Sequence, residues 1–202
     1  MKQQPTMPFT AEQMADIVRA CDDYGRKCRG GKYRGPENAS RIRAFVLLLC
    51  HSGLRLGDAV TLERSRITGD KLFLYTAKTG TPVYVPLPDF VLTALGTAPK
   101  ISERYFFWTG ESKIESARGD WQRSLKGVFK QAGIPDGHAH RFRDTFAVGL
   151  LQAGVPMERV SFPTECYTGL RPTNGDENRR RRHPRVSVGP LRSESGFPLP
   201  RE

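Results

Sequence analysis

Four basic side chains in this sequence could act together on a phosphate group. Arg55 follows an apolar segment in SGLRLGDAV, and Lys78 stands beside a Thr-Gly pair in AKTGTPVYVPL. His140 and Arg143 are three residues apart in HRFRDTFA, a spacing that puts them on one face of a helix. Two guanidinium groups can grip one phosphate and stabilise its transition-state charge, a lysine can protonate a leaving oxygen, and a histidine can move a proton. The set predicts phosphoryl transfer without a metal ion or other cofactor.

Each of these residues also has a plainer interpretation. An arginine after a helix and a lysine in a turn are commonly solvated charges, and H-x-x-R on a helix is a weak signal alone. Asp58 could support Arg55, or it could be an ordinary acidic residue near a helix N-terminus. The composition favours a polyanionic partner, because 32 Lys and Arg stand against 21 Asp and Glu and leave a net charge of +11. Nucleic acid is the usual partner of such a chain, and a basic protein without that partner is the alternative.

Hydrophobic periodicity predicts the elements that must position these side chains. The first helix begins at Thr10, where Gln13 completes a capping box. Further helices are expected over residues 37–51, 58–62, 88–95, 117–132, 140–153 and 156–161, and strands over residues 72–76 and 83–87. The Thr79-Gly80 pair between the strands predicts a hairpin that presents Lys78. The pattern is typical of an α+β domain, mainly α-helical, with a small antiparallel sheet.

The helix predicted over residues 140–153 is amphipathic. Its apolar stripe consists of Phe142, Phe146, Gly149, Leu150 and Ala153. Because this stripe lies beside His140 and Arg143, we expect the helix to be anchored while both side chains project over a site.

Several classes of protein are disfavoured by the sequence. Its four cysteines, at positions 21, 28, 50 and 166, form no C-x-x-C pair and have no paired histidines at zinc-ligand spacing, so we expect reduced thiols. The first ten residues contain no apolar signal-peptide region, and the longest apolar run, residues 44–50, is too short to span a bilayer. A cytoplasmic protein without a membrane, metal or small-molecule cofactor is expected.

Three segments together resemble a known family. SGLRLGDAVTL is similar to the first arginine box of phage integrases and related tyrosine recombinases, KTG followed by VPL resembles their β-hairpin lysine, and HAHRFRDTFAVGLLQAG resembles their H-x-x-R box. The boxes occur in the family's order, and the resemblance covers roughly residues 8–161. It implies the DNA breaking–rejoining fold of a tyrosine recombinase catalytic domain.

The resemblance also implies a role for each candidate residue. Arg55 and Arg143 would clamp the scissile phosphate of double-stranded DNA. Lys78 would be the general acid, and His140 would assist. Asp58 matches the acidic position that supports the first arginine. The expected partners are double-stranded DNA and an intact recombinase protomer.

The sequence departs from the family before and after the matched region. Members usually carry a separate DNA-binding domain before the catalytic one, whereas here we expect only a linker over residues 1–9, and we therefore expect that clamp to be absent. After a short helix members continue with Leu-Gly-His and then the nucleophilic tyrosine, but this chain reads FPTECYTGLRPTNG after Ser161. The only tyrosine left is Tyr167, in the stretch where the histidine box belongs. The nucleophile therefore stays unassigned.

Residues 162–202 hold six prolines, eight arginines and few aliphatic residues. Such a segment buries too little apolar surface to offset its ordering entropy, so we expect a disordered basic tail after a catalytic domain at 10–161. We hypothesise that a shifted reading frame produced it, because GC-rich DNA read in an unselected frame yields Arg, Pro and Gly. The other two frames after codon 161 should then encode a Leu-Gly-His and a later tyrosine.

Two functions follow as hypotheses. The first is site-specific DNA recombination or integration by a tyrosine recombinase catalytic domain, defective in cleavage because its histidine box and tyrosine are missing. The alternative is a non-catalytic DNA-binding remnant or regulator. A general RNA- or DNA-coating protein rests on charge alone, without the Gly and aromatic surface motifs of RNA-binding folds.

Overall fold

The computed structural model of the protein describes residues 7–27, 35–78, 80 and 82–156. All of them lie in one of the two units into which the chain divides, Met1–Cys166. The predicted tail lies outside the described residues, as does the helix predicted at 156–161 apart from its first residue. In the described ranges, no helix is long and apolar enough to cross a membrane.

The described residues form an α+β fold in which helices predominate, as the sequence predicts. The helices are α1 (Ala11–Lys27), α2 (Gly35–Ser52), α3 (Leu56–Val60), α4 (Asp89–Thr97), α5 (Ile114–Gln131) and α6 (His140–Gln152). The strands are β1 (Ile67–Thr68), β2 (Lys71–Tyr75) and β3 (Pro82–Pro86), which form one antiparallel sheet in the order β1-β2-β3.

Helix α2 lies at the centre of the core because its second half is apolar on every side. Every residue from Ala44 to Cys50 is buried, and α1, α4 and α6 all pack against the helix. The Phe45 ring stacks on Trp121 of α5 at a centroid distance of 3.8 Å and meets Phe107 edge-on at 4.8 Å. A helical segment that is apolar all round has to be enclosed by other elements. The segment that contains Arg55 follows the C-terminal end of this buried helix, so its position is fixed by the core.

The segment before α1 is held against α6. The predicted capping box is confirmed, since the Gln13 amide donates to Thr10 Oγ1 and the Thr10 amide donates to Gln13 Oε1, both at 3.2 Å. Phe9, which lies in the predicted linker, is buried against Phe129 and Phe142, with ring centroids 5.6 and 5.1 Å away. Phe9 therefore packs with the helices, while the domain boundary at residue 10 stays a prediction.

The predicted hairpin is confirmed, with each strand beginning one residue earlier than expected. Leu72 and Leu74 of β2 and Val83 of β3 face the core. Strand β1 was missing from the prediction, because a two-residue strand is too short to show alternation.

Two predicted helix positions and one predicted apolar stripe need correction. The short helix expected at 58–62 lies at Leu56–Val60, because its first turn is closed by the Ala59 amide donating to the Arg55 carbonyl at 2.9 Å. Helix α5 begins at Ile114, three residues before the predicted start. The stripe predicted along α6 is buried only at Phe142, whereas Gly149 and Ala153 are exposed in the structure.

The two cysteines in the described ranges, Cys21 and Cys50, are buried free thiols. Burial raises the pKa of Cys21 to about 12 and raises that of Cys50 well above its usual value. Both are therefore protonated at neutral pH and poor nucleophiles, which makes them core residues.

Candidate functional site

A cleft of ≈ 500 Å³ is lined by residues of α3, of α5 and of α6 together with the loop before it. Three of the predicted site residues, Arg55, His140 and Arg143, line this cleft. Arg55 is the residue just before α3, and His140 and Arg143 occupy the first turn of α6. The fold thus brings together side chains that lie 85 or more positions apart in the sequence.

Arg143 is the most deeply buried of these basic side chains. It is 3 % exposed, and its Nη1 donates to the Gly53 carbonyl at 2.6 Å. Gly53 has a φ of 61°, a left-handed conformation that glycine adopts without strain at the end of α2. Burial and the nearby positive charge of Arg55 lower the pKa of Arg143 to about 10, while Asp58 and Asp144 act in the opposite direction.

The pair of arginines has a direct electrostatic consequence. A guanidinium with a pKa of about 10 stays charged at neutral pH, so two like charges face the same cleft. An anion between Arg55 and Arg143 would relieve their repulsion and supply hydrogen-bond acceptors to both groups. Phosphate has the charge and the geometry that such a pair binds best.

Asp58 connects α3 to the hairpin. Its side chain is buried, and Oδ1 accepts a hydrogen bond from the Ala77 amide at 2.9 Å. Because Ala77 directly precedes Lys78, this bond ties the base of the lysine turn to the helix that follows Arg55. Asp58 also offsets part of the positive charge at Arg143.

Lys78 does not line the cleft with the other three residues. It is exposed in the turn that follows β2. Its side chain starts one residue after Ala77, whose amide is bound to Asp58 of α3, so the hairpin backbone at this turn is tied to the helix that follows Arg55.

His140 begins α6, and its Nε2 lies 3.8 Å from Asp144 Oδ1, one helical turn further on. Its side chain is partly exposed at the wall of the cleft. His138 lines the same wall, and its pKa is lowered chiefly by desolvation and secondarily by the charges of His140 and Arg141.

A polar row on α5 was not among the predicted site residues. Arg118, Gln122 and Lys126 follow one another at intervals of four residues and all line the cleft. The Arg118 side chain lies over the backbone of α3, since a Cβ placed on Gly57 would be 3.5 Å from its Nε. The spacing was the available signal, because residues four apart on a predicted helix share a face.

Within residues 7–27, 35–78, 80 and 82–156, no group of three or more His, Cys, Asp or Glu side chains is arranged to hold a metal ion. The expectation that the chemistry needs no metal or cofactor stays a prediction. What the described cleft does offer is basic side chains, from Arg55, Arg118, Lys126 and Arg143.

Solved structures of similar fold are recombinases and integrases. The XerA recombinase matches 78% of this chain and 55% of its own length, with a TM-score of 0.56 at 17% identity. The lambda integrase catalytic core matches 73% of this chain and 85% of its own, with a TM-score of 0.53 at 18% identity. For the catalytic domain of bacteriophage HP1 integrase the shares are 77% and 78%, with a TM-score of 0.51 at 19% identity. At these identities the likeness shows the fold.

Sequence comparison reaches the same result. The probable integrase/recombinase of Acholeplasma phage L2 is 25% identical over 126 residues, which make up 60% of this chain and 44% of that relative. The chain thus spans less than half of that relative's length. The model of the phage integrase family matches residues 8–161, the same region over which the three boxes occur. The chain, with its recombinase fold and its match over most of its length, belongs to the phage integrase family of tyrosine recombinases.

Proposed function

We propose that this chain binds double-stranded DNA through the cleft between α3, α5 and α6, as the catalytic domain of a site-specific recombinase. The observation that carries the proposal is the pair Arg55 and Arg143, two charged guanidiniums facing one partly buried space. In this proposal both arginines hold the scissile phosphate, and Asp58 keeps the hairpin beside them. The polar row on α5 adds further contacts to the DNA backbone.

The remaining roles follow from position and chemistry. Lys78 reaches the phosphate from its turn and donates the proton to the leaving oxygen. His140 donates a hydrogen bond to the same phosphate from the start of α6. The proposal draws support from structures of related fold, in which lambda integrase is bound to DNA and forms a tetramer on a Holliday junction. An intact recombinase protomer is accordingly the second proposed partner, and the cytoplasm the proposed location.

We further propose that the chain does not cleave DNA by itself. The sequence after Ser161 contains no Leu-Gly-His, and Tyr167 is its only tyrosine beyond the H-x-x-R box. Without an attacking oxygen, the transition state that the phosphate clamp stabilises is not reached. The contributions of catalytic residues that act as a unit are not additive, so the clamp alone does not give a partial reaction. On this basis the alternative function, a DNA-binding remnant or regulator, uses the same cleft.

The DNA-binding proposal is tested by fluorescence anisotropy with a labelled duplex over a range of salt concentrations. Arg55→Ala should weaken binding about three- to tenfold and make the salt dependence shallower by about one counterion. Arg143→Lys keeps the positive charge but loses the bidentate geometry of the guanidinium, so it should weaken binding less than Arg55→Ala does. The matched control is Arg19→Ala on α1, an exposed arginine paired with Asp16 outside the cleft. Equal effects of Arg55→Ala and Arg19→Ala would refute the cleft as the binding site.

Cleavage is tested with a nicked suicide substrate and a denaturing gel. We expect no covalent protein–DNA adduct. An adduct that disappears in Tyr167→Phe would show that this chain is an active recombinase and that the proposed defect is wrong.

A further inference from the structure

Three large aromatic side chains are exposed to solvent on the outer face of the sheet. Phe73 is 41 %, Tyr75 61 % and Tyr84 60 % exposed, whereas the alternate residues of the same strands face the core. A contiguous exposed aromatic surface on a small domain commonly marks a binding site. We call these three residues the aromatic patch.

The members of the aromatic patch touch one another. Phe73 and Tyr84 are directly opposite in the β2–β3 register, with ring centroids 6.5 Å apart. Phe73 and Tyr75 lie two residues apart on β2, so they share a face, and their rings meet edge-on at 5.4 Å. The result is one continuous surface of rings, held by a paired and partly buried backbone.

The charge around the aromatic patch selects the kind of ligand. Lys71 is exposed at the start of β2 on the same face, and Lys78 follows the end of that strand. The hairpin from residue 71 to residue 87 contains no Asp or Glu, although the exposed Asp70 directly precedes it and Tyr75 lines a small pocket with Asp58 and Glu63. Exposed rings flanked by lysines match a nucleic-acid strand, whose bases stack on the rings while its phosphates meet the ammonium groups.

The aromatic patch is also linked to the cleft through the backbone. Tyr75 lies two residues before Ala77, whose amide is bound by Asp58 beside the arginine pair. The same hairpin therefore carries an aromatic surface on its strands and the candidate general acid in its turn.

We propose that the aromatic patch binds unpaired bases of a DNA strand by stacking, as a single-strand site distinct from the phosphate clamp. The proposal rests on the proposed function, because exchange of strands between duplexes, carried out together with the proposed intact recombinase protomer, exposes unpaired bases close to the bound phosphate. Paired duplex DNA hides the π faces of its bases, so the aromatic patch discriminates single-stranded from double-stranded DNA.

The test compares two fluorescent probes on the full chain, a strand of about 12 thymidines, within the range of known single-strand site sizes, and a duplex of equal length. The double variant Tyr75→Leu/Tyr84→Leu should bind the single strand at least about fivefold more weakly. Its affinity for the duplex should stay within about twofold, because phosphate contacts dominate there. Tyr84→Phe keeps the ring and should bind the single strand like the unaltered chain.

Phe90→Leu is the matched control, since Phe90 is an exposed aromatic of α4 whose ring packs on His51 of α2. It should leave both affinities unchanged. A second measurement needs no variant: a strand with one 5-iododeoxyuridine is irradiated on the unaltered protein, and the cross-linked residue should be Tyr75, Tyr84 or Phe73.

Three outcomes would overturn the proposal. A folded double variant that binds the single strand normally would leave the rings as cross-strand pairs that only stabilise the sheet. An equal loss of affinity for the single strand and the duplex would mean that the aromatic patch contacts the DNA backbone and not the bases. Sedimentation showing a dimer that the double variant dissociates would make it a contact between two copies of the chain. If instead Arg55→Ala binds the duplex normally, the proposed clamp fails, and the aromatic patch is still judged on the single-strand result alone.

Discussion

The two halves of α6 differ more in their surroundings than in their sequence. In the first half, Phe142 is fully buried and Arg143 nearly so. In the second half, Phe146 and Leu150 are only partly buried and Leu151 is 38 % exposed. Both halves carry apolar residues at helical spacing, so the pattern alone predicts equal burial. An amphipathic stripe thus shows which side chains of a helix are suited to burial. Whether a given side chain is buried depends on the elements that pack against that part of the helix.

Arg141 explains much of the contrast. Its Nε donates to the Met7 carbonyl at 2.8 Å, its guanidinium lies 4.1 Å from the Phe9 ring centroid, and Nη1 lies 3.5 Å from Asp136 Oδ2. These contacts fasten the first turn of α6 from the side away from the cleft. His140 and Arg143, on the cleft side, are therefore carried by a fixed helix end.

The largest effect is expected when the buried half loses its central ring. Phe142→Ala removes contacts with Phe9 and Phe129 and should lower the free energy of unfolding by about 3–5 kcal/mol. Urea denaturation followed by circular dichroism measures the loss. A loss below about 1 kcal/mol would mean that the first half of α6 is no better packed than the second.

A smaller effect is expected at the anchor. Arg141→Met keeps the length of the side chain but removes its hydrogen bonds, and it should cost about 1.5–3 kcal/mol of stability. Because Arg141 does not line the cleft, the salt dependence of duplex binding should not change. If Arg141→Met changed the salt dependence of duplex binding as much as Arg55→Ala does, Arg141 would contact the DNA directly, which would contradict its role as an anchor of α6.

Thr145→Val removes the hydrogen bond that joins the segment before α1 to α6, together with the bond that the Thr145 hydroxyl donates to the Arg141 carbonyl within α6. The Phe9 amide donates to Thr145 Oγ1 at 2.8 Å, and the variant leaves this amide without that acceptor. The expected loss of stability is about 1 kcal/mol. Thr93→Val on α4 is the control, because that exposed hydroxyl bonds only its own helix at the Asp89 carbonyl within the described structure. Equal losses for the two variants would contradict the anchoring role of Thr145.

The smallest effect is expected in the exposed half. Leu151→Ala removes a side chain that is already largely in water, so the free energy of unfolding should change by less than about 0.5 kcal/mol. The measurement is again urea denaturation. A loss approaching that of Phe142→Ala would show that another part of the protein covers this half in solution.

The sequence predicted local features well. The Thr10–Gln13 capping box and the hairpin follow from residues close together in the chain, and the structure has both. The three basic boxes could be found because their residue types resemble a family, and three of the four basic residues do line one cleft.

Features that depend on distant packing were not predictable in the same way. Nothing local to Phe9 indicates that it packs on Phe129 and Phe142, more than a hundred residues away. The row Arg118, Gln122 and Lys126 looks like any solvated helix face until α3 and α6 are placed opposite it. The exposure of the aromatic residues on the sheet could not be predicted either. Alternation along a strand indicates that the sheet has two faces, but it does not show which face other elements cover.

The bond between the Ala77 amide and Asp58 gives the hairpin a spectroscopic reporter. An amide in a turn next to exposed residues ordinarily exchanges its proton with water quickly, but this one is bound to a buried carboxylate. Its exchange requires the base of the turn to separate from α3, so the hydrogen-exchange rate of this one proton measures how often the turn that carries Lys78 detaches from the helix that follows Arg55. Slower exchange in the presence of DNA would reveal, without any cleavage, that bound DNA holds the hairpin against α3.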